Sequence, residues 1–280
     1  MLQSNSISER MMYSTVRLSI GSTTATGFYY GLNTPNKTVV VISNRHFAEQ
    51  VDELSQLDFS KTSITQRTKF CIHLDNGTNK VIEDDVEWIL HPSEDLAFFV
   101  LSDVLNKHRL PVGITYYILQ VKHNMIPTQA QLDDLTALEN VVMVGYPNGL
   151  YDSKNNYPLF RTGKTATHPA IDYNGKKTAL LDVSCLPGSS GSPVFIFDEG
   201  WIRHKNGSLS AGSRILFLGI ENSMPTRYSK SVYEKTTLPN GQIKYIKTDN
   251  YIIENDMKLG YYIKSSELAG FDAQIQSMGL

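Results

Sequence analysis

Short runs of β-branched and aromatic residues, each cut off by glycine, proline or asparagine, fill this chain and leave little room for helical periodicity. That pattern belongs to an antiparallel sandwich or barrel, because branched side chains pack on a pleated surface and the turn residues supply the reversals. Tyr13–Ile20, Ala25–Tyr30 and Thr38–Ile42 read as three successive strands, and the third delivers His46. Phe47, Val51 and Leu54 recur at steps of four and three, so one short amphipathic helix follows. Lys69–Leu74 and Lys80–Ile82 flank Asp75-Asn76-Gly77, a hairpin signal because both turn residues tolerate positive φ. Leu96–Leu101 reads as a fully buried strand with Asp95 immediately before it.

The stretch from about 102 to 137, with Pro111 and Pro127, reads as a crossing between two halves. Strands follow around Val141–Gly145, Ala179–Val183, Val194–Phe197, Ile215–Ile220 and Tyr261–Lys264, with a short helix near Ser266–Gly270. Residues 10–115 form the first unit, 116–137 the crossing and 138–280 the second. A tyrosine-rich hairpin is inserted at about 223–257 around a Pro239-Asn240-Gly241 turn.

The 26 basic residues nearly balance 28 acidic ones, so no electrostatic footprint for nucleic acid or an anionic membrane exists. The N-terminal segment lacks a basic start followed by an apolar stretch, and no apolar run approaches the ~20 residues of a membrane helix. The expectation is a soluble, cytoplasmic protein. Cys71 and Cys185 are the only cysteines, too few for a secreted-type disulfide framework, and are expected as free, buried thiols.

Chemistry concentrates in Leu186-Pro187-Gly188-Ser189-Ser190-Gly191-Ser192-Pro193, a small-residue loop running straight into an apolar strand. A serine nucleophile needs an exposed hydroxyl and converging backbone N–H donors, which Gly188 and Ser190 can supply. It also needs a base and a group that orients the base. His46, at a strand end, is the candidate base, with His91 its rival. Asp95, on the lip of the most apolar strand, is the orienting carboxylate, or else a turn cap. The chain order His, Asp, Ser is that of chymotrypsin-type barrels, unlike that of α/β-hydrolases or subtilisins.

Ile42-Ser43-Asn44-Arg45-His46-Phe47, His91-Pro92-Ser93-Glu94-Asp95-Leu96-Ala97 and Gly188-Ser189-Ser190-Gly191-Ser192-Pro193 resemble the three signature segments of trypsin-like serine peptidases. Leu218–Asn222 and Leu259–Ser265 are similar to the cleft-walling strands of the bacterial, Deg-like branch. The resemblance covers about residues 12 to 270. It implies an all-β chymotrypsin-like fold of two packed six-stranded antiparallel barrels with a short C-terminal helix. It also implies hydrolysis of peptide bonds through an acyl-enzyme, with His46, Asp95 and Ser190 as triad. The oxyanion loop is Gly188, Ser189 and Ser190, with N–H donors from the first and last. No metal or other cofactor is required, and the partner is a protein or peptide substrate.

Ser189 stands where secreted digestive members carry an Asp that pairs with a newly cut N-terminus, so the loop must be ordered by other contacts or by an activating protein partner. The family's pocket-base position falls on Ser184, with Pro187, Ile220, Glu221, Asn222 and Gly260 around the substrate. An uncharged base implies apolar or small side chains, whereas Glu221, if it faces the pocket, implies a basic one. No peptide-binding module of the kind found on many Deg-like proteases is recognisable. Two other readings stay open: a catalytically silent binding module, and an effector silent until a partner orders Gly188–Ser190. The tyrosines of the inserted hairpin, Tyr228, Tyr233, Tyr245 and Tyr251, present a partner surface or pack locally.

Overall fold

Side-chain alternation divides the apolar residues of this chain among three cores rather than two. The computed structural model describes residues 6–52, 54–225, 227–238, 242–254 and 257–280. A short helix, α1 (Ile7–Met12), leads into the first barrel. That barrel consists of β1 (Thr15–Ile20), β2 (Thr23–Gly31), β3 (Val39–Ser43), β4 (Ser63–His73), β5 (Asn79–Leu90) and β6 (Ala97–Val100). Its ladder runs β1-β4-β5-β6-β3-β2 and closes through β1–β2 pairing. In the crossing, β7 (Val121–Lys122) adds in parallel to β2. The second half contains β8 (Asn140–Gly145), β9 (Leu159–Thr165), β10 (Thr178–Asp182), β11 (Pro193–Asp198), a small hairpin of β12 (Trp201–Arg203) and β13 (Leu209–Ala211), and β14 (Arg214–Ser223). A second hairpin, β15 (Arg227–Thr237) with β16 (Ile243–Glu254), precedes β17 (Gly260–Lys264). The second barrel closes in the order β10-β17-β14-β11-β8-β9. The two-barrel, chymotrypsin-like architecture is therefore present.

Strand alternation assigns the cores. Val16, Leu18, Tyr29, Val41, Phe70, Trp88 and Phe99 fill the first barrel. Val141, Met143, Leu181, Val194, Ile196, Leu216 and Tyr262 fill the second. The opposite faces, including Phe28, Ile42, Phe98, Phe195 and Phe217, meet in a layer between the barrels. Closing both barrels leaves the barrel strands without the free edges that would otherwise seed aggregation.

Several local expectations change in detail. The helix after β3 is α2 (Arg45–Glu49), stopped by Gln50 in the left-handed region at φ 56°, so Leu54 belongs to a separate 3₁₀ turn at Leu54–Gln56. At Asp75–Gly77 only Gly77 has positive φ; Asn76 instead accepts from Thr78 through its side chain. Strand β6 ends one residue early because Leu101 opens a short helix (Leu101–Leu105). The C-terminal helix is a 3₁₀ turn, Ser265–Phe271, continued by an α-helix, Asp272–Ser277. It crosses back to the first barrel, where Phe271 packs edge-on to Phe98 and Gln274 donates to the Leu90 carbonyl at 2.7 Å.

Strand β9 goes unmarked in the sequence because its more buried face, Arg161, Gly163 and Thr165, is not apolar, leaving no hydrophobic alternation to read. The inserted β15–β16 hairpin pairs with neither barrel. Its Pro239-Asn240-Gly241 turn lies outside the described residues, as do the side chains of its four tyrosines. Cys185 is buried and Cys71 partly so, and both are free. Among the described residues no helix is long and apolar enough to cross a membrane.

Candidate active site

His46 is held at both its backbone and its ring. It occupies the first turn of α2, a helix fixed from below by Phe47 against Trp88 and by Arg45. The fully buried Arg45 guanidinium pairs with Glu49 at 2.9 Å and donates to the carbonyls of His91, Asp58 and Lys61. A buried cation is tolerable only when its donors are satisfied, and this one ties two loops to α2. Asn44 spends its side chain on the Asp95 carbonyl, at 2.9 Å, rather than on capping α2.

Asp95 is only 5% exposed and uses both carboxylate oxygens on one residue. Oδ1 accepts from the His46 amide and Oδ2 meets His46 Nδ1, each at 2.8 Å. With Nδ1 protonated and donating to Asp95, Nε2 keeps its lone pair and can act as a base. Burial works against a charged imidazole here. The Asp95 charge, its hydrogen bond and the charge of Glu221 outweigh it, so the His46 pKa is raised above its ordinary value of 6.5. The rival, His91, is spent on structure: Nδ1 accepts from the amides of Ser93 and Glu94, and Nε2 faces the Glu267 carbonyl at 3.0 Å. Burial lowers its pKa, consistent with a neutral ring that has no free nitrogen.

Ser190 sits half-buried in a loop tied down by hydrogen bonds to other parts of the chain. Thr26 Oγ1 donates to the Gly188 carbonyl at 2.9 Å and accepts from the Tyr146 amide at 3.0 Å. Asn148 N donates to the Pro187 carbonyl, Thr26 N to the Ser190 carbonyl and Gly191 N to the Glu221 carbonyl. Gly191 and Gly188 have φ of +87° and +84°, and a Cβ on Gly191 would lie 2.0 Å from the Thr26 carbonyl oxygen. The loop is thus seated on β2 and on the end of β3, three residues before His46.

Of the expected oxyanion loop, the Ser189 amide is spent on the Leu186 carbonyl at 2.9 Å and its hydroxyl accepts from the Leu186 amide. Among the described residues the amides of Gly188 and Ser190 have no acceptor. No hydrogen bond joins Ser190 to His46 among the described residues either; such bonds commonly tighten only when substrate is bound.

The residues expected around the substrate separate by face. A β-bulge at Leu218, where Val194 faces Gly219 but Phe195 faces Phe217, switches the alternation of β14. Ile220 therefore points into the layer between the barrels, while Glu221 points into the second barrel. Ser184 is half-buried, Pro187 exposed, and Asn222 lies at a surface depression of about 350 Å³ with Tyr173 and Tyr261. Gly260 faces Cys185 so closely that a Cβ would lie 2.1 Å from its sulfur. Thr26, Asn44, Cys185 and Tyr146 were not legible as site residues, since each acts through a contact distant in sequence.

Triad-like geometry alone is not diagnostic in this molecule. On the surface, His204 meets Asp134 through Nδ1 at 2.8 Å and Ser210 through Nε2 at 2.9 Å. Ser210, however, lies in β13 opposite Ile202, with no glycine loop to offer converging amides. These three side chains clasp the β12–β13 hairpin to the helix Gln129–Asp134.

No protein-family model matches the chain, and no curated protein does. Among solved structures, an inactive form of Rv3671c from M. tuberculosis H37Rv is 14% identical, over 98% of this chain and 92% of that one, with a TM-score of 0.44. Deg5 is 15% identical over 79% and 88%, at 0.42. A Glu endopeptidase in complex with MPD is 12% identical over 94% and 90%, at 0.37.

Proposed function

We propose that this chain is a serine endopeptidase acting through an acyl-enzyme, with Ser190 as nucleophile, His46 as base and Asp95 as the group that orients it. The observation that carries the reading is the two-point grip of Asp95 on His46, set beside a glycine loop whose Gly188 and Ser190 amides are unspent among the described residues. His46 Nε2 takes the Ser190 proton as Oγ attacks the scissile carbonyl, and the imidazolium is stabilised by Asp95. The oxyanion forms against the two free amides, an arrangement worth about 3–4 kcal/mol in the transition state. His46 then returns its proton to the leaving amine, and water repeats the sequence to release the acid.

The loop contacts from Thr26, Asn148 and Glu221 all come from this chain. They support activity without a partner over a silent or partner-ordered site. The test is incubation of purified protein with unfolded, reduced protein substrate, followed by mass-spectrometric mapping of new N-termini. New termini are expected with wild type and absent with Ser190→Ala and His46→Ala. Wild type that yields no more termini than either variant, while folded, contradicts the reading.

A further inference from the structure

We infer that Glu221 is the specificity-determining residue of this site, its carboxylate receiving the cationic side chain, lysine or arginine, of the substrate residue on the acyl side of the cleaved bond. The inference deepens the endopeptidase reading and rests on it.

Four observations converge. The bulge at Leu218 turns Glu221 into the interior of the second barrel, on the face it shares with its cross-strand neighbour Tyr262. Its backbone is locked to the nucleophile loop on both sides: Gly191 N donates to the Glu221 carbonyl at 2.8 Å, and Glu221 N donates to the Ser192 carbonyl at 2.9 Å. The Glu221 backbone therefore stands at a fixed offset from the nucleophile loop. Glu221 is 2% exposed, and among the described residues Oε2 has no hydrogen-bond partner.

No cation pairs with the carboxyl among the described residues, although His46 and Arg161 both act on it electrostatically. The Cys185 thiol approaches the carboxyl, over the gap that Gly260 leaves by having no side chain. Arg161 contributes a positive field without an ion pair to Glu221 among the described residues, and its Nη1, like the Tyr262 hydroxyl, is buried and unpartnered. Asp95, the other nearby carboxylate, is fully engaged by His46. Burial pushes the pKa of the Glu221 carboxyl up to about 8, and a cation entering the site offsets the cost of charging it. A neutral substrate side chain leaves Oε2 unpaired, and an acidic one places two carboxyls together. Ser184, at the expected pocket base, carries no charge, so the charge comes from the wall strand β14 instead.

The probe is benzamidine, a planar cation, compared with benzamide, its neutral near-isostere, each titrated into wild type and Glu221→Gln by calorimetry. Wild type is expected to bind the amidinium at least about tenfold more tightly than the amide, and the variant to lose that difference. Cleavage of peptides differing only at the acyl-side residue should rank Arg and Lys at least about tenfold above Leu, Ala and Glu. Equal affinity of wild type for the two probes, or a preference retained in a folded Glu221→Gln, overturns the inference. Labelling of Ser190 by a fluorophosphonate, which has no such side chain, reads the hydrolytic machinery separately. Labelling with no amidinium preference sinks the cation site alone. Amidinium preference without labelling sinks the hydrolase reading and leaves the cation site standing.

Discussion

Replacing Asp95 by Asn removes a charge while leaving shape intact, and the hydrogen bonds around His46 dictate the consequence. Oδ1 of Asp95 accepts from the His46 amide, and a backbone N–H cannot reverse its role. In Asp95→Asn the new side-chain carbonyl oxygen must take that position, which turns the NH₂ toward His46 Nδ1, 2.8 Å from the second oxygen in wild type. An NH₂ facing Nδ1 selects the tautomer with Nδ1 as acceptor and the proton on Nε2, the nitrogen that must receive the Ser190 proton. The base is then blocked rather than merely loosened. The equivalent change in the chymotrypsin-type template costs about 10⁴ in kcat, which is ~5 kcal/mol of transition-state stabilisation. The same magnitude is expected here in kcat/KM on a peptide ester and in the rate of Ser190 phosphonylation. Unfolding temperature should move little, because the hydrogen bond to the His46 amide is kept. A folded Asp95→Asn protein with less than about a tenfold loss refutes the tautomer argument.

Because the His46 pKa is raised above 6.5 and the base must be neutral, kcat/KM is expected to fall as pH drops, with an acid limb centred above 6.5. A limb centred below about pH 6 contradicts the assigned environment. The sign for stability is opposite: protonated His46 stabilises the fold at pH below about 6.5, and that contribution is lost as pH rises through the raised folded value. Thr26→Val removes the hydroxyl that joins the Gly188 carbonyl to the Tyr146 amide. It should cost about 1–3 kcal/mol in chemical denaturation and slow acylation, and an unchanged acylation rate speaks against the loop being seated by Thr26.

The fold was legible where burial differs between the two faces of a strand. Alternation in Val16-Arg17-Leu18-Ser19-Ile20 and the unbroken apolar run at Ala97–Val100 mark their strands because each answers to a core. Strand β9 was invisible because Leu159 and Phe160 are exposed beside Arg161 and Lys164, so its pairing is fixed by neighbours rather than by its own pattern. The triad candidates were readable as short local motifs. Their supports were not, since Thr26 reaches Gly188 and Arg45 reaches His91 across folds of the chain that no spacing rule encodes. The bulge at Leu218 was hidden for a similar reason, and it decides which of Ile220 and Glu221 faces the interior of the second barrel.

The most direct test of the proposed triad is the intact mass of purified protein after treatment with a fluorophosphonate, beside Ser190→Ala, His46→Ala and Ser210→Ala. One adduct is expected on wild type and on Ser210→Ala, and none on the other two. An adduct that persists in Ser190→Ala, or none on folded wild type, would contradict the assignment of Ser190 as nucleophile.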